Sequence, residues 1–291
     1  SYDHHGHPLR YRRSTRPLDI GEWSEPRGMT GEAEEKVTYP YFVMGPRDAD
    51  DTEGRGWLGF LYRDGKAGNG DLCLKRYDAD ADRWTDRNLR FLKGTEQTPW
   101  TTNAYWNHPV FDRAGRLVLT WVWRVRQPRE EMQNFWYNHN IGYARTADGT
   151  TWESSLGLPM NLPMTPTNAE VVWPVSPGCN LMNQCSSATD SRGRPHVVFY
   201  AGATPDAPPQ YHHLWQSDAG WRCRPITERS EPFALQGQGS LGLPISRPEI
   251  VIDDADRAYV VYQGDLTDNR LVAQRLDPPD YQPPGESFVL W

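Results

Sequence analysis

The sequence predicts an all-β fold, and three observations carry that expectation. Pro and Gly, 25 of each in 291 residues, recur every few positions and interrupt any helical period. Short runs of β-branched and aromatic residues stand between these turn signals, as strands do. One hairpin also recurs, a turn built on Asp and ending in Arg, followed by an alternating apolar strand. Sequential repeats of four strands each are the pattern of a β-propeller with four-stranded antiparallel blades.

The opening Ser1-Tyr2-Asp3-His4 reads as the interior of a strand, so residues 1–14 are expected to be the tail of one blade. Blades then follow near 37–100, 101–160, 170–230 and 240–280. The recurring turn is Asp112 to Arg116 before Leu-Val-Leu-Thr-Trp, Asp190 to Arg194 before Pro-His-Val-Val-Phe-Tyr, and Asp253 to Arg257 before Ala-Tyr-Val-Val-Tyr. A looser copy is Gly54-Arg55-Gly56 before Trp57. A second motif, Asp then Trp in a polar turn, is clearest at Thr146 to Trp152 and weaker at Asp78 to Trp84 and Ser217 to Trp221. There the Asp accepts backbone N–H bonds and the Trp packs between sheets, a structural task. The spacing of the repeats exceeds the ~40–50 residues of compact ones, so long inter-strand loops are expected. The whole reads as a single propeller domain over 1–291, incomplete at the N-terminus and open to the same reading at the C-terminus.

Composition removes several functions. A formal net charge of −7, with Lys and Arg scattered, does not supply the basic face that nucleic acid requires. Arg10, Arg12 and Arg13 are a local exception that equally suits a solvated strand edge. The most apolar stretch, around Thr120 to Trp123, is broken by Arg116 and Arg124 and is far short of the ~20 residues of a membrane-spanning helix. Cys73, Cys179, Cys185 and Cys223 have no CxxC spacing, so neither a zinc knuckle nor a redox pair is indicated. Cys179 and Cys185 are near enough to bridge a loop, and the alternative of free thiols stands beside it. Gly-rich phosphate loops, G-x-S-x-G and HExxH are lacking.

Three histidines fall in Asp3-His4-His5-Gly6-His7. They suit a metal site, but strand alternation sends His4 and His5 to opposite faces, which favours a single catalytic or surface imidazole. Tyr39, in Val37-Thr38-Tyr39-Pro40, and Arg63, in Leu61-Tyr62-Arg63-Asp64, are placed where inner strands of a blade line a central funnel. An Arg holds a carboxylate, a Tyr moves a proton and a His does either; the alternative is that Tyr39 is core and Arg63 pairs with Asp64 or a blade neighbour. Asn103 to His108, with Tyr105, is followed by Trp123-Arg124 and Asn138-His139-Asn140. Amides interleaved with aromatic rings are how sugars are bound, although many of these rings must be inter-blade packing. Asn183, Gln184, His196, His212 and His213 are further candidates with a structural reading.

Together, Tyr2 to Tyr11, Val37 to Pro40, Tyr62 to Gly65 with Gly68-Asn69-Gly70, Asn103-Ala104-Tyr105 and Asn138 to Trp152 resemble the BNR-repeat propeller family, which includes ulvan lyases and rhamnose-glucuronate lyases or rhamnosidases. The resemblance covers most of 1–200. It implies a seven-bladed ring, secretion or a periplasmic location, a monomer, and an acidic polysaccharide or oligosaccharide as partner. Of the family's site, His5 or His4 resembles the second histidine, Tyr39 the tyrosine, Arg63 the arginine and Tyr105 a substrate-contacting tyrosine; the first histidine would lie upstream of Ser1. The match requires Asp48 to Arg55 to be a loop insertion. It implies β-elimination on a uronate, with His5, Tyr39 and Arg63 catalytic and Tyr105 contacting substrate; His4 is the alternative to His5, and His108, Arg124 and His139 are the further substrate-contact candidates that the amide and aromatic pattern supplies. No cofactor is then required; a structural calcium or zinc ion stays open but is not indicated, and no His/Cys set matches the zinc site of some ulvan lyases. Hydrolysis by an α-L-rhamnosidase and glycan binding without catalysis are the alternatives. A sialidase is disfavoured, because its arginine triad is not recognisable.

Overall fold

The computed structural model describes residues 5–45, 57–66, 68–96, 102–129, 132–183, 186–233, 235 and 242–291, with the side chains of 5, 126–129 and 132–136 excepted. Among them the structure is β throughout, save one 3-10 turn at Asp265–Thr267. The chain forms two compact units, Ser1–Asn103 with Asn161–Thr167, and Ala104–Met160 with Asn168–Trp291.

The first unit is one antiparallel sheet in chain order: β1 (His5–His7), β2 (Val37–Met44), β3 (Leu58–Lys66), β4 (Asn69–Asp78) and β5 (Arg83–Lys93). Its core is Leu9, Val37, Phe60, Tyr62, Cys73 and Trp84. Trp84, the Trp of an Asp-then-Trp turn, packs edge-on against Phe60, Tyr77 and Tyr11; its task is structural, but these contacts lie within its own sheet and the segment before β2, not between two sheets. The segment between β1 and β2 is tied to the sheet by charge. Glu34 accepts N–H bonds from Met29, Thr30 and Gly31, and Lys75 Nζ, fully buried, lies 3.1 Å from Glu34 and 2.7 Å from Asp86. Two charges taken out of water require this mutual pairing. The outer edge of β5 is covered by Met164, whose N–H and C=O bond Phe91 and Lys93.

The second unit holds three sheets. One comprises β6 (Thr102–Trp106), β7 (Val110–Phe111), β8 (Leu117–Arg129), β9 (Met132–Thr146) and β10 (Val171–Trp173), ordered β10-β9-β8-β6 with β7 paired to β8. The others are four-stranded meanders: β11 (Ser186–Thr189) to β14 (Gly220–Pro225) through β12 (Pro195–Ala201) and β13 (Gln210–Ser217), then β15 (Glu249–Ile252) to β18 (Phe288–Val289) through β16 (Ala258–Tyr262) and β17 (Val272–Leu276). The repeated turn is the same object three times. Asp112, Asp190 and Asp253 each accept the backbone N–H and the Nε of the Arg four residues on, at 2.6–3.0 Å. The residue before that Arg is left-handed, Gly115 at φ 79°, Gly193 at 75° and Asp256 at 59°, which is why Gly or Asp stands there. In the Thr146 to Trp152 turn, Asp148 accepts from the N–H groups of Thr150 and Thr151 and Trp152 is buried.

Three expected boundaries move. Residues 1–14, expected as the tail of a separate blade, supply β1 to the first sheet, where it pairs with β2. The blade expected to end at 160 extends to Trp173, because residues 161–167 leave it for the edge of β5 before β10 forms. The last blade runs to Val289. Cys73, Cys179 and Cys223 are free thiols, so the Cys179 bridge is not formed; Cys185 lies outside the described residues. No described helix is long and apolar enough to cross a membrane.

Candidate functional site

In the first unit the site begins with an irregular strand. Thr38 pairs with Arg63 and Tyr41 with Leu61, so Tyr39 and Pro40 together oppose Tyr62 alone. Such a bulge suits Pro40, which has no N–H to give the ladder. Tyr39 takes φ 54°, a conformation disfavoured for a bulky side chain and typical of positions where the surroundings hold a residue for a purpose. Its ring is thereby laid on Arg63, whose guanidinium carbon is 4.9 Å from the ring centroid. Arg63 is fully buried, and its Nε donates to Thr38 Oγ1 at 2.7 Å.

The β3–β4 hairpin makes room for this arginine. A Cβ at Gly70 would stand 2.8 Å from Arg63 Cδ and 2.9 Å from Cγ, so only glycine leaves space for the stem. Asp64 is taken by Arg90, 2.7 Å away, and the expected alternative of an Arg63–Asp64 pair is replaced by the Thr38 bond. His5 stands opposite Thr38 in the β1–β2 register, one row with Thr38 and Arg63. His4 lies outside the described residues.

The second unit gathers Tyr105, Arg124, Asn138 and Asn183. Arg124 and Asn138 are cross-strand partners on β8 and β9. Arg124 Nε donates to Asn138 Oδ1 at 2.8 Å, Nη1 to the Tyr105 hydroxyl at 3.3 Å and Nη2 to Asn183 Oδ1. Its guanidinium lies 4.3 Å from the Tyr105 ring centroid. Asn138 Nδ2 donates to Leu181 O at 2.7 Å. His139 follows on β9, opposite Trp123; burial pulls its imidazole down to about 4, so the ring is neutral at ordinary pH. His108 is exposed on the β6–β7 turn, its carbonyl accepting from Ser187 Oγ.

His196 and His213 have the structural role that was one of their readings. Both are fully buried, their rings stack with His196 Nδ1 and His213 Nε2 at 2.9 Å, and Tyr281 packs edge-on against both. His212 stacks on Phe199 and lines a cavity of about 250 Å³ with Trp173, Val175 and Phe199. Among the described residues no group of three or more His, Cys, Asp or Glu could hold a metal ion.

Repeated blade-like sheets with shared Asp turns place the chain among propellers, and a family model decides which: the match to the BNR repeat-containing family runs over residues 1–229. The chain belongs to that family. As a BNR-repeat protein it is similar in fold to a solved ulvan lyase, a polysaccharide lyase, both free and bound to an oligomer of glucuronic acid and rhamnose sulfate. Each comparison gives a TM-score of 0.69 at 14% identity over 99% of this chain and 64% of the solved one. The chain thus spans a little under two thirds of that lyase's length. An α-L-arabinofuranosidase from Fusarium graminearum aligns at a TM-score of 0.46 and 10% identity, over 89% of this chain and 70% of that one. No curated protein matches the sequence.

Proposed function

We propose that this BNR-repeat chain is a carbohydrate-active enzyme that cleaves an acidic polysaccharide beside a uronic acid, by β-elimination. The observation that carries the reading is the tyrosine of a strained bulge, Tyr39, held against the buried guanidinium of Arg63. A uronate's C5 proton becomes acidic when its carboxylate charge is offset, and Arg63 places a permanent cation behind Tyr39. The same charge stabilises the phenolate that tyrosine must form to act as a base. Because Arg63 lies beneath the ring, direct contact with a carboxylate requires the Tyr39 ring to swing aside.

In the reaction Tyr39, or the histidine in the same row at His5, takes the C5 proton. The electron pair forms the C4–C5 double bond, the C4–O bond breaks, and the leaving oxygen takes up a proton from the tyrosine or the imidazole. Support for the substrate class comes from the family match and from the lyase fold, one member of which was solved with a glucuronic acid and rhamnose sulfate oligomer.

Incubation with such an oligomer, followed by ultraviolet absorbance and product mass, tests the reading. Elimination gives an unsaturated uronate with no added water, and Tyr39→Phe should lower kcat by about 10²–10⁴-fold. Products heavier by one water would replace the lyase with a hydrolase. Binding without turnover that survives Arg63→Ala would make the chain a glycan-binding module.

A further inference from the structure

The cavity of about 250 Å³ in the second unit is separate from the Arg124 cluster, whose side chains do not line it. Its floor is buried at Cys179, Phe199 and Ala201, and its rim is exposed at Pro174, Ser176 and Ala203. Small side chains make the space. Phe199 and Ala201 stand two residues apart on β12 and share one face, so the strand that lays a ring at one position leaves only a methyl at the next.

The walls are tied together before anything enters. Gly202 N donates to Cys179 O at 2.7 Å, which fastens the end of β12 to the segment that follows β10. Asn140 holds the same segment twice: its N–H donates to Val175 O and its Oδ1 accepts from Val175 N, each at 3.1 Å. A site ordered in advance loses little affinity to ordering.

The polar group of the cavity is His212. It stands opposite Phe199 in the β12–β13 register and stacks on it, with ring centroids 5.1 Å apart and planes 11° from parallel. Its Nδ1 lies 2.9 Å from Gln210 O. A carbonyl only accepts, so Nδ1 carries the proton and Nε2, across the ring, is left with a lone pair. Burial keeps the imidazole neutral at ordinary pH, and Nε2 has no partner among the described residues.

An acceptor set beside Trp173, Val175 and Phe199 calls for an occupant that donates a hydrogen bond and is otherwise apolar on the face it presents. Charge has no counterpart, since no described lining residue is Lys, Arg, Asp or Glu. A carboxylate or sulfate here would meet the Nε2 lone pair and lose its water without gaining a cation. A pyranose combines what is required, a C–H face for the aromatic walls and hydroxyl protons for the acceptor. The volume falls just short of the ~300–1,000 Å³ of pockets for drug-sized ligands and suits one ring.

We propose that this cavity is a binding site for one uncharged pyranose residue, packed against Trp173 and Phe199 with a hydroxyl donating to His212 Nε2. This rests on the reading of the chain as acting on glycans and deepens it: the glycan carries a neutral unit, recognised by residues other than Tyr39 and Arg63.

Ligand-detected NMR titration of the full chain tests the site, with methyl pyranosides of the gluco, galacto, rhamno and xylo series as neutral probes and methyl β-glucuronide as a charged competitor. A neutral probe should bind with a Kd on the order of 1 mM, the range of a single small ring, and the glucuronide should not displace it. His212→Phe keeps a ring on Phe199 and removes the acceptor, and should weaken the neutral probe by about 3–10-fold. Ala201→Leu extends three carbons from the floor and should weaken it by more than about 10-fold. Thermal midpoints show whether each variant keeps its fold, and where one does not, the other decides. Failure of every neutral probe to bind, displacement by the glucuronide, or unchanged affinity in either folded variant overturns the site.

The two readings fail separately. Unsaturated product from a chain whose affinity for neutral sugar ignores Ala201→Leu sinks this site alone. Neutral binding that is lost in Ala201→Leu, without elimination by the parent, supports the site and sinks the lyase. A parent chain that binds no neutral probe and eliminates nothing overturns both.

Discussion

At the scale of single residues, the candidate site depends on a glycine as much as on its chemistry-bearing side chains. Gly70 has no Cβ where Arg63 Cγ and Cδ pass within 3 Å of the position one would occupy. In Gly70→Ala the arginine stem must shift, and because Arg63 is buried it has little room to do so. Overpacking of this kind costs about 1–3 kcal/mol, and displacement of the guanidinium from Tyr39 should lower turnover in parallel. A double-mutant cycle measures it: with Arg63→Ala in place, the added methyl should cost almost nothing, giving strongly non-additive stabilities by chemical denaturation. Additive effects would show that the two positions do not touch. Sequence spacing pointed to Tyr39 and Arg63, but their relation was hidden. A φ of 54° at a tyrosine and a bulge that opposes two residues to one are properties of the paired strands, and local propensity carries no trace of them.

At the scale of the element, the repeated Asp-to-Arg turn was legible because its chemistry is local. Each Asp and its Arg are four residues apart, and the left-handed position between them admits Gly or Asp, so a short window of sequence contains the whole device. The three copies differ in what surrounds them. The Asp190 side chain is fully buried and binds Arg192 and Arg194 backbone N–H groups as well as Arg194 Nε, whereas Asp253 retains solvent. Asp190→Ala should therefore cost about 2–4 kcal/mol, leaving buried donors unsatisfied, and Asp253→Ala clearly less. Denaturation midpoints of the two variants check the order, and equal losses would mean that burial is not what sets a turn's worth. What the sequence concealed at this scale was non-local. Nothing in residues 161–167 announces an edge for β5, and the pairing of Arg124 with Asn183 spans 59 positions.

At the scale of the whole molecule, buried histidines set how the fold responds to acid. Burial holds His139 and His212 down to about 4, and it lowers His196 and His213 as well. Asp190 opposes the shift at His196 but does not overcome it. The stacked pair shares one hydrogen bond between ring nitrogens, which requires one ring to accept and so to be neutral there. The folded chain thus keeps these imidazoles uncharged where the unfolded chain protonates them, near the ordinary 6.5. Between pH 6.5 and about 4 the unfolded state binds more protons than the folded one, so stability rises with pH in that window and is lost as pH falls. Each such histidine contributes a slope of about 1.4 kcal/mol per pH unit once the unfolded form is protonated. Carboxylates held low by their hydrogen-bond partners against the cost of burial, Glu34 and Asp148 among them, act in the same direction but at lower pH. Their stabilisation is intact above their ordinary range near 4 and is lost only below it. Urea midpoints should therefore be level from pH 7.5 to 6.5 and then fall steeply toward pH 5, before the carboxylates contribute. His212→Phe, which keeps an aromatic ring on Phe199, should flatten that fall by about 1.4 kcal/mol per unit. A midpoint that stays level to pH 5, or a slope indifferent to His212, would place the acid sensitivity in the carboxylates instead.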